Sequence, residues 1–179
     1  MTDLMKKSKG WFIAAGALLI VVGMAAIALP FIAAIAIEAL VGWILIISGV
    51  VQVIHSFRAL STGKCILRLL SGILYLGIGI MFLVYPLQGV LTLTLLLAIL
   101  FMFEGLMKIT VSLQIKPAKN WGWLLTSGIA ALVVAGIIWS GWPSTAAWVI
   151  GLLVGINLIF GGWTMLMLSA VAKDQEYEG

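Results

Sequence analysis

Four side chains of this 179-residue chain are placed to do chemistry from within, or at the edge of, apolar segments: Glu38, Glu104, Asn157 and His55. Glu38 stands eight residues past Pro30 in an apolar run. If that run crosses lipid, the carboxylate must be paired, reached by water, or protonated. The chemistry it offers is then that of a proton-responsive or cation-contacting group. The plainer expectation is that water or lipid headgroups solvate it, about two turns below the surface. Glu104 precedes Lys108 by four residues, the order and spacing of an intrahelical ion pair, and a structural pair is expected before an acid–base role. Asn157 is the deepest of the amides, which include Gln52, Gln88 and Gln114, and such groups bridge helices or cap their ends. His55 is the only histidine and falls at a helix end, where the dipole favours a positive imidazole; it reads as an interfacial residue.

No catalytic arrangement joins these residues. There is no zinc motif, nucleophile elbow, Gly-Lys phosphate loop or dinucleotide fingerprint after a strand. Glu38 and Glu104 fall near opposite ends of their spans, so they cannot flank one scissile bond as paired carboxylates do at about 5–10 Å. The single cysteine, Cys65, excludes an intrachain disulfide and a thiolate cluster. No catalytic, cofactor-binding or metal-ligating residue is therefore assigned, no cofactor is expected, and the chain reads as a non-enzyme. The formal charge of +4 is spread too thinly for a nucleic-acid surface, and none is expected as a partner.

The elements that must position these side chains are membrane spans. The chain is 64% hydrophobic and only 9% charged, with a mean hydropathy of +1.26. A soluble domain carries about 25% charge. Spans are expected at 11–29, 33–54, 68–85, 89–111, 121–139 and 145–170, each near the ~20 apolar residues a helix needs to cross a bilayer. They are apolar on every face, so helices satisfy their backbone polar groups and the alternation of a β-barrel is absent. The segment 11–29 is too long for the apolar core of a signal peptide and reads as a retained helix. All ten Lys and Arg (Lys6, Lys7, Lys9, Arg58, Lys64, Arg68, Lys108, Lys116, Lys119 and Lys173) fall on one side of a six-span topology. The positive-inside rule then places both termini in the cytoplasm.

The spans repeat. Gly16, Gly23, Pro30, Gly42 and Gly49 recur 56 residues on as Gly72, Gly79, Pro86, Ala98 and Gly105. They recur again as Gly128, Ala135 and, after one extra residue, Pro143, Gly155 and Gly162. The expectation is an all-α transmembrane bundle in a single domain, with three tandem parallel hairpin repeats at 11–54, 68–111 and 121–170. Glycines seven apart mark one face of each helix as a packing seam, and Gly151 with Gly155 adds a GxxxG step. Trp11, Trp121, Trp123, Trp139, Trp142 and Trp148 fall at span boundaries as an interfacial belt, while Trp43 and Trp163 are expected to fill space between helices.

These spaced glycines and prolines resemble the bacterial HdeD-type membrane proteins, a six-helix family associated with acid resistance, over nearly all of 10–170. The resemblance implies an inner-membrane protein connected with survival of acid stress and carries over no ligand or catalytic residue. Ala98, Ala135 and the extra residue near Pro143 depart from the pattern. The leading expectation is a non-enzymatic protein of envelope integrity whose partners are membrane lipids and a second copy or another membrane protein. The alternative is a small transporter or channel, proton-linked, using Glu38 with Asn157 or Glu104. A continuous polar track would favour transport; a glycine-packed apolar centre would favour the structural role.

Overall fold

Prolines set where the helices begin. A computed structural model describes residues 2–57, 62–117 and 120–174, with side chains over 10–57, 65–117 and 120–169. It holds six helices and, among the described residues, no strand. They are α1 (Thr2–Ala28), α2 (Pro30–Ser56), α3 (Thr62–Val84), α4 (Pro86–Gln114), α5 (Trp121–Gly141) and α6 (Ala146–Asp174). Each contains an apolar stretch of between 19 and 29 residues, long enough to cross a bilayer. The chain is a multi-pass membrane protein. Seven of its ten basic side chains (Lys6, Lys7, Lys9, Arg58, Lys64, Lys119 and Lys173) lie outside the described side chains.

Only Leu29 separates α1 from α2, and only Tyr85 separates α3 from α4. The Leu29 N–H donates to the Ala25 carbonyl at 2.9 Å, while its own carbonyl accepts from Ala33 at 3.1 Å. Tyr85 does the same between Met81 and Gly89, at 2.9 and 3.1 Å. Pro30 and Pro86 occupy the first helical position, where a missing N–H costs nothing. The second helices thus start at the prolines, three residues earlier than their expected starts at 33 and 89. The third turn differs: Pro143 lies in a four-residue connection, Trp142–Thr145, and α6 begins three residues after it. At this turn side-chain hydroxyls join the Thr145 N–H, which donates to Gly141 O at 3.1 Å, on the last α5 carbonyls. Ser144 Oγ donates to Gly141 O at 2.6 Å and Thr145 Oγ1 to Ile138 O at 3.4 Å.

The described chain forms two compact units, one of residues 34–147 and one of 1–33 with 148–179. In the first unit, a Cβ built on Gly49 would stand 2.8 Å from the Gly72 carbonyl, and one on Gly79 2.8 Å from the Gly42 carbonyl. A step of seven along α2 is met by a step of seven back along α3, so the helices run antiparallel with backbones touching. Gly105 and Gly128 repeat this between α4 and α5, each Cβ falling 2.8–3.0 Å from the other's carbonyl. The same register brings Ala98 level with Ala135, both buried, so the two departures from glycine occur on facing positions. In the second unit, Gly16 opposes Gly162 and Gly23 opposes Gly155, with Cβ-to-carbonyl separations of 2.5–2.8 Å. The seams join the second helix of one repeat to the first helix of the next, and α6 to α1. Within a repeat, α3 and α4 touch far less than α4 and α5 do across the seam.

The tryptophans sit outside these seams. Trp11, Trp123, Trp139, Trp142 and Trp148 are exposed, as a belt requires. Trp121 is half-buried beneath Lys116, whose Nζ lies 4.8 Å from the ring centroid. Trp43 and Trp163 are exposed too, at 56% and 55%, contrary to a filling role. Glycine seams leave no gap between helices for an indole to fill.

Substituting Gly49 or Gly16 by Leu is expected to lower stability in detergent by about 1–3 kcal/mol or more, the cost of overpacking. Gly77→Ala is the control, because nothing lies within 4 Å of its Cβ position. Thermal unfolding in detergent should show a lower midpoint for the seam variants and none of that loss for Gly77→Ala.

Candidate functional site

Every buried polar side chain among the described residues lies on the second helix of a repeat: Glu38, Ser56, Thr94, Ser112 and Ser169. Glu38 and Ser56 are 18 residues apart, as are Thr94 and Ser112. Eighteen residues make five turns of 3.6, so each pair shares a face, about 27 Å apart along the axis. The buried positions between them on α2 are Gly42 and Gly49, and on α4 Ala98 and Gly105. Each helix therefore buries one stripe: a polar group near its start, small residues through its middle and a serine near its end. Gly151, Gly155, Gly162 and Ser169 form the corresponding stripe on α6.

The serine end is quiet. Ser56 Oγ donates to Val53 O and Ser112 Oγ to Ile109 O, both at 2.7 Å, while Ser169 Oγ has no partner among the described residues.

The other end carries the chemistry. Glu38 is completely buried, and neither carboxylate oxygen has a hydrogen-bond partner among the described residues. Its carboxylate lies against Gly89 in the first turn of α4: a Cβ on Gly89 would fall 2.7 Å from Glu38 Cγ and 2.8 Å from Cδ. Glycine here makes room for the acid. One repeat on, Thr94 fills the equivalent place on α4 and donates to Val90 O at 2.8 Å and Ala146 O at 3.2 Å. One further on, in the other unit, the place falls to Gly151, whose Cβ position is 2.5 Å from Pro30 Cα. One register of helix contact is thus filled by an acid, a hydroxyl and a glycine. Solvation of Glu38 by water or headgroups, the plainer sequence expectation, is not how the side chain is held; α4 closes over it. An ionised carboxylate so enclosed costs several kcal/mol unless paired. The site suits a neutral carboxylic acid, or a carboxylate holding a cation.

The other residues marked by sequence stay apart from it. Glu104 is exposed and ion-paired with Lys108, whose Nζ also reaches Ser127 Oγ of α5 at 3.2 Å. Gln52 occupies the same repeat position as Lys108 and accepts from Ser71 Oγ of α3 at 2.6 Å, the bridging role expected of an amide. His55 is exposed, its Nδ1 2.9 Å from Val51 O. Asn157 is exposed and bridges no helices among the described residues, so depth in the sequence did not mean burial. Thr94, Ser56, Ser112 and Ser169 escaped the sequence reading. Their signal was the 56-residue period itself, which carries Glu38 onto Thr94 and Ser56 onto Ser112 and, with the extra residue, onto Ser169.

Residues 14–84 and again 70–139 match the family described as a short repeat of unknown function, DUF308. The two matches begin one repeat period apart. The chain is also similar to protein HdeD of Escherichia coli strain K12, of Escherichia coli O157:H7 and of Shigella flexneri. Each is 26% identical over 177 residues, covering 97% of this chain and 93% of the relative. No solved structure matches.

The fit of Glu38 against Gly89 generates a reciprocal test. Gly89→Ala should destabilise the protein, and Glu38→Ala in the same chain should recover at least part of the loss. Glu38→Gln, which keeps the shape and stays neutral, should fold and insert. Thermal midpoints in detergent and membrane yield of the three chains check this; equal loss in Gly89→Ala with and without Glu38 would refute the contact.

Proposed function

This chain belongs to the DUF308 short-repeat family, and from that premise we propose a non-enzymatic inner-membrane protein that supports envelope integrity under acid stress. The observation that carries this reading is the interior. Between Glu38 and Ser56, and between Thr94 and Ser112, the buried positions are glycine and alanine, not polar groups. About 27 Å of close-packed small residues along each helix supports a role in holding helices together before one in moving solute through them. The acid-stress connection rests on the likeness to HdeD-type proteins. Both termini are cytoplasmic in this reading, supported by the distribution of all ten basic residues. Lipids are the expected partners, and His55, Arg58, Lys64 and Arg68 offer charge to anionic headgroups on that side.

A second reading has its own observation. Glu38 is wholly buried with both oxygens unpartnered among the described residues, and acids in spans mark ion or proton sites. A small proton-linked transporter would use this group without Glu104, which is taken up by Lys108.

Survival at low pH should fall when the gene is deleted and return with the wild-type chain. Under the structural reading it also returns with Glu38→Gln, and proteoliposomes show no proton flux above empty vesicles. Loss of rescue by a normally inserted Glu38→Gln chain, together with flux that needs Glu38, would establish transport instead. Topology has a separate check in a Cys65→Ser background. Lys64→Cys and Gly141→Cys should label from opposite faces of the membrane, and labelling from the same face would overturn the six-span orientation.

A further inference from the structure

The exposed threonines of the spans, and Ser140, are satisfied within their own helices. Thr92, Thr110, Thr126, Ser140 and Thr164 each donate to a carbonyl three or four residues back. Asn157 is not. It is exposed and makes no hydrogen bond to another described residue. It stands at the middle of the apolar stretch Ala146–Ser169, about 17 Å from either end, in the plane furthest from water. A carboxamide carries two donors and an acceptor oxygen, and hydrocarbon answers none of them. The other repeats lack this feature: the equivalent positions are Ile44 and Leu100, both exposed and apolar as a lipid-facing site should be.

The same face of α6 continues through Gly161 and Thr164, one and two turns on, both exposed. No atom of the described residues lies within 4 Å of the Gly161 Cβ position, so another backbone can approach there. We propose that a second copy of this chain docks on this face, with Asn157 hydrogen-bonded to Asn157 of the second copy. The amide is its own complement, since its N–H donates where its twin's carbonyl accepts, and a twofold contact pairs equal residues. A lipid tail has no group to offer. Gly161 brings the helices within reach, and Thr164 adds little bulk beside it. This contact goes beyond the function proposed above and does not depend on it.

The test uses the full chain in lipid vesicles, with dimer fraction measured by single-molecule photobleaching over a range of protein-to-lipid ratios. The wild-type chain should dimerise. Asn157→Leu, which installs the residue of the α4 position, should weaken dimerisation by about 3- to 30-fold, and Asn157→Gln should retain more of it. In a Cys65→Ser background, Asn157→Cys should oxidise to a covalent dimer, whereas Leu74→Cys on the exposed face of α3 should not. Since Asn157 faces outward, these variants should keep the wild-type thermal midpoint in detergent dilute enough for every chain to be monomeric. A wild-type chain that stays monomeric, dimers indifferent to Asn157→Leu, equal cross-linking at Leu74, or capture of a different membrane protein by this face with no self-association would each overturn the proposal.

Discussion

The contact on which this structure depends is helix backbone against helix backbone at the glycine seams. Once a chain is in lipid, apolar side chains gain nothing by leaving hydrocarbon for one another. What remains is close packing, and packing strengthens as backbones approach. Facing glycines such as Gly49 and Gly72 bring them so near that a methyl group on either would strike the opposite carbonyl. The seams use the same seven-residue step on α2 with α3, α4 with α5 and α1 with α6. The wide exposure of leucine, isoleucine and tryptophan elsewhere follows, because the helices need those side chains for the lipid and not for each other.

Repetition makes the polar exceptions informative. Three copies of one unit ought to place the same residue at each contact, and at the cytoplasmic end in the proposed orientation they do: Ser56, Ser112 and Ser169 are all buried. Near the start of the second helices they diverge into Glu38, Thr94 and Gly151. Thr94 spends its hydroxyl on Val90 and Ala146 carbonyls, and Gly151 gives its room to Pro30. Glu38 does neither. An acid there is the one substitution whose buried polar atoms the packing leaves unanswered at that level. Gly89, shaped to receive it, argues that the acid is built in and not merely tolerated.

Much of this was legible in the chain before folding. Six spans followed from hydropathy, the seams from glycines seven apart, and the Glu104–Lys108 pair from spacing alone. Which helices the seams join was not legible. A glycine face says that something approaches closely, and the neighbour within a repeat was as eligible as the neighbour beyond it. Burial of Glu38 was hidden for a related reason. Its depth could be counted from Pro30, but whether α4 covered it depended on a facing residue, Gly89, which has no counterpart in the glycine pattern. Asn157 and Trp43 misled in the opposite direction: mid-span position suggested an interior, whereas in lipid the exterior is equally far from water. In a soluble protein depth and burial coincide; here they are independent.

That independence separates the two unusual polar groups. Glu38 is removed from water by protein and Asn157 by lipid, so different things can answer them. Whatever satisfies Glu38 must enter a closed contact between α2 and the first turn of α4. Whatever satisfies Asn157 arrives sideways through the bilayer and can be as large as another helix. Between Glu38 and Ser56, about 27 Å along the helix, the fully buried positions of α2 are Gly42 and Gly49, and the half-buried Gln52 is taken up by Ser71. An acid closed in at the end of a packed stripe ties the packing of α2 against α4 to the state of that acid.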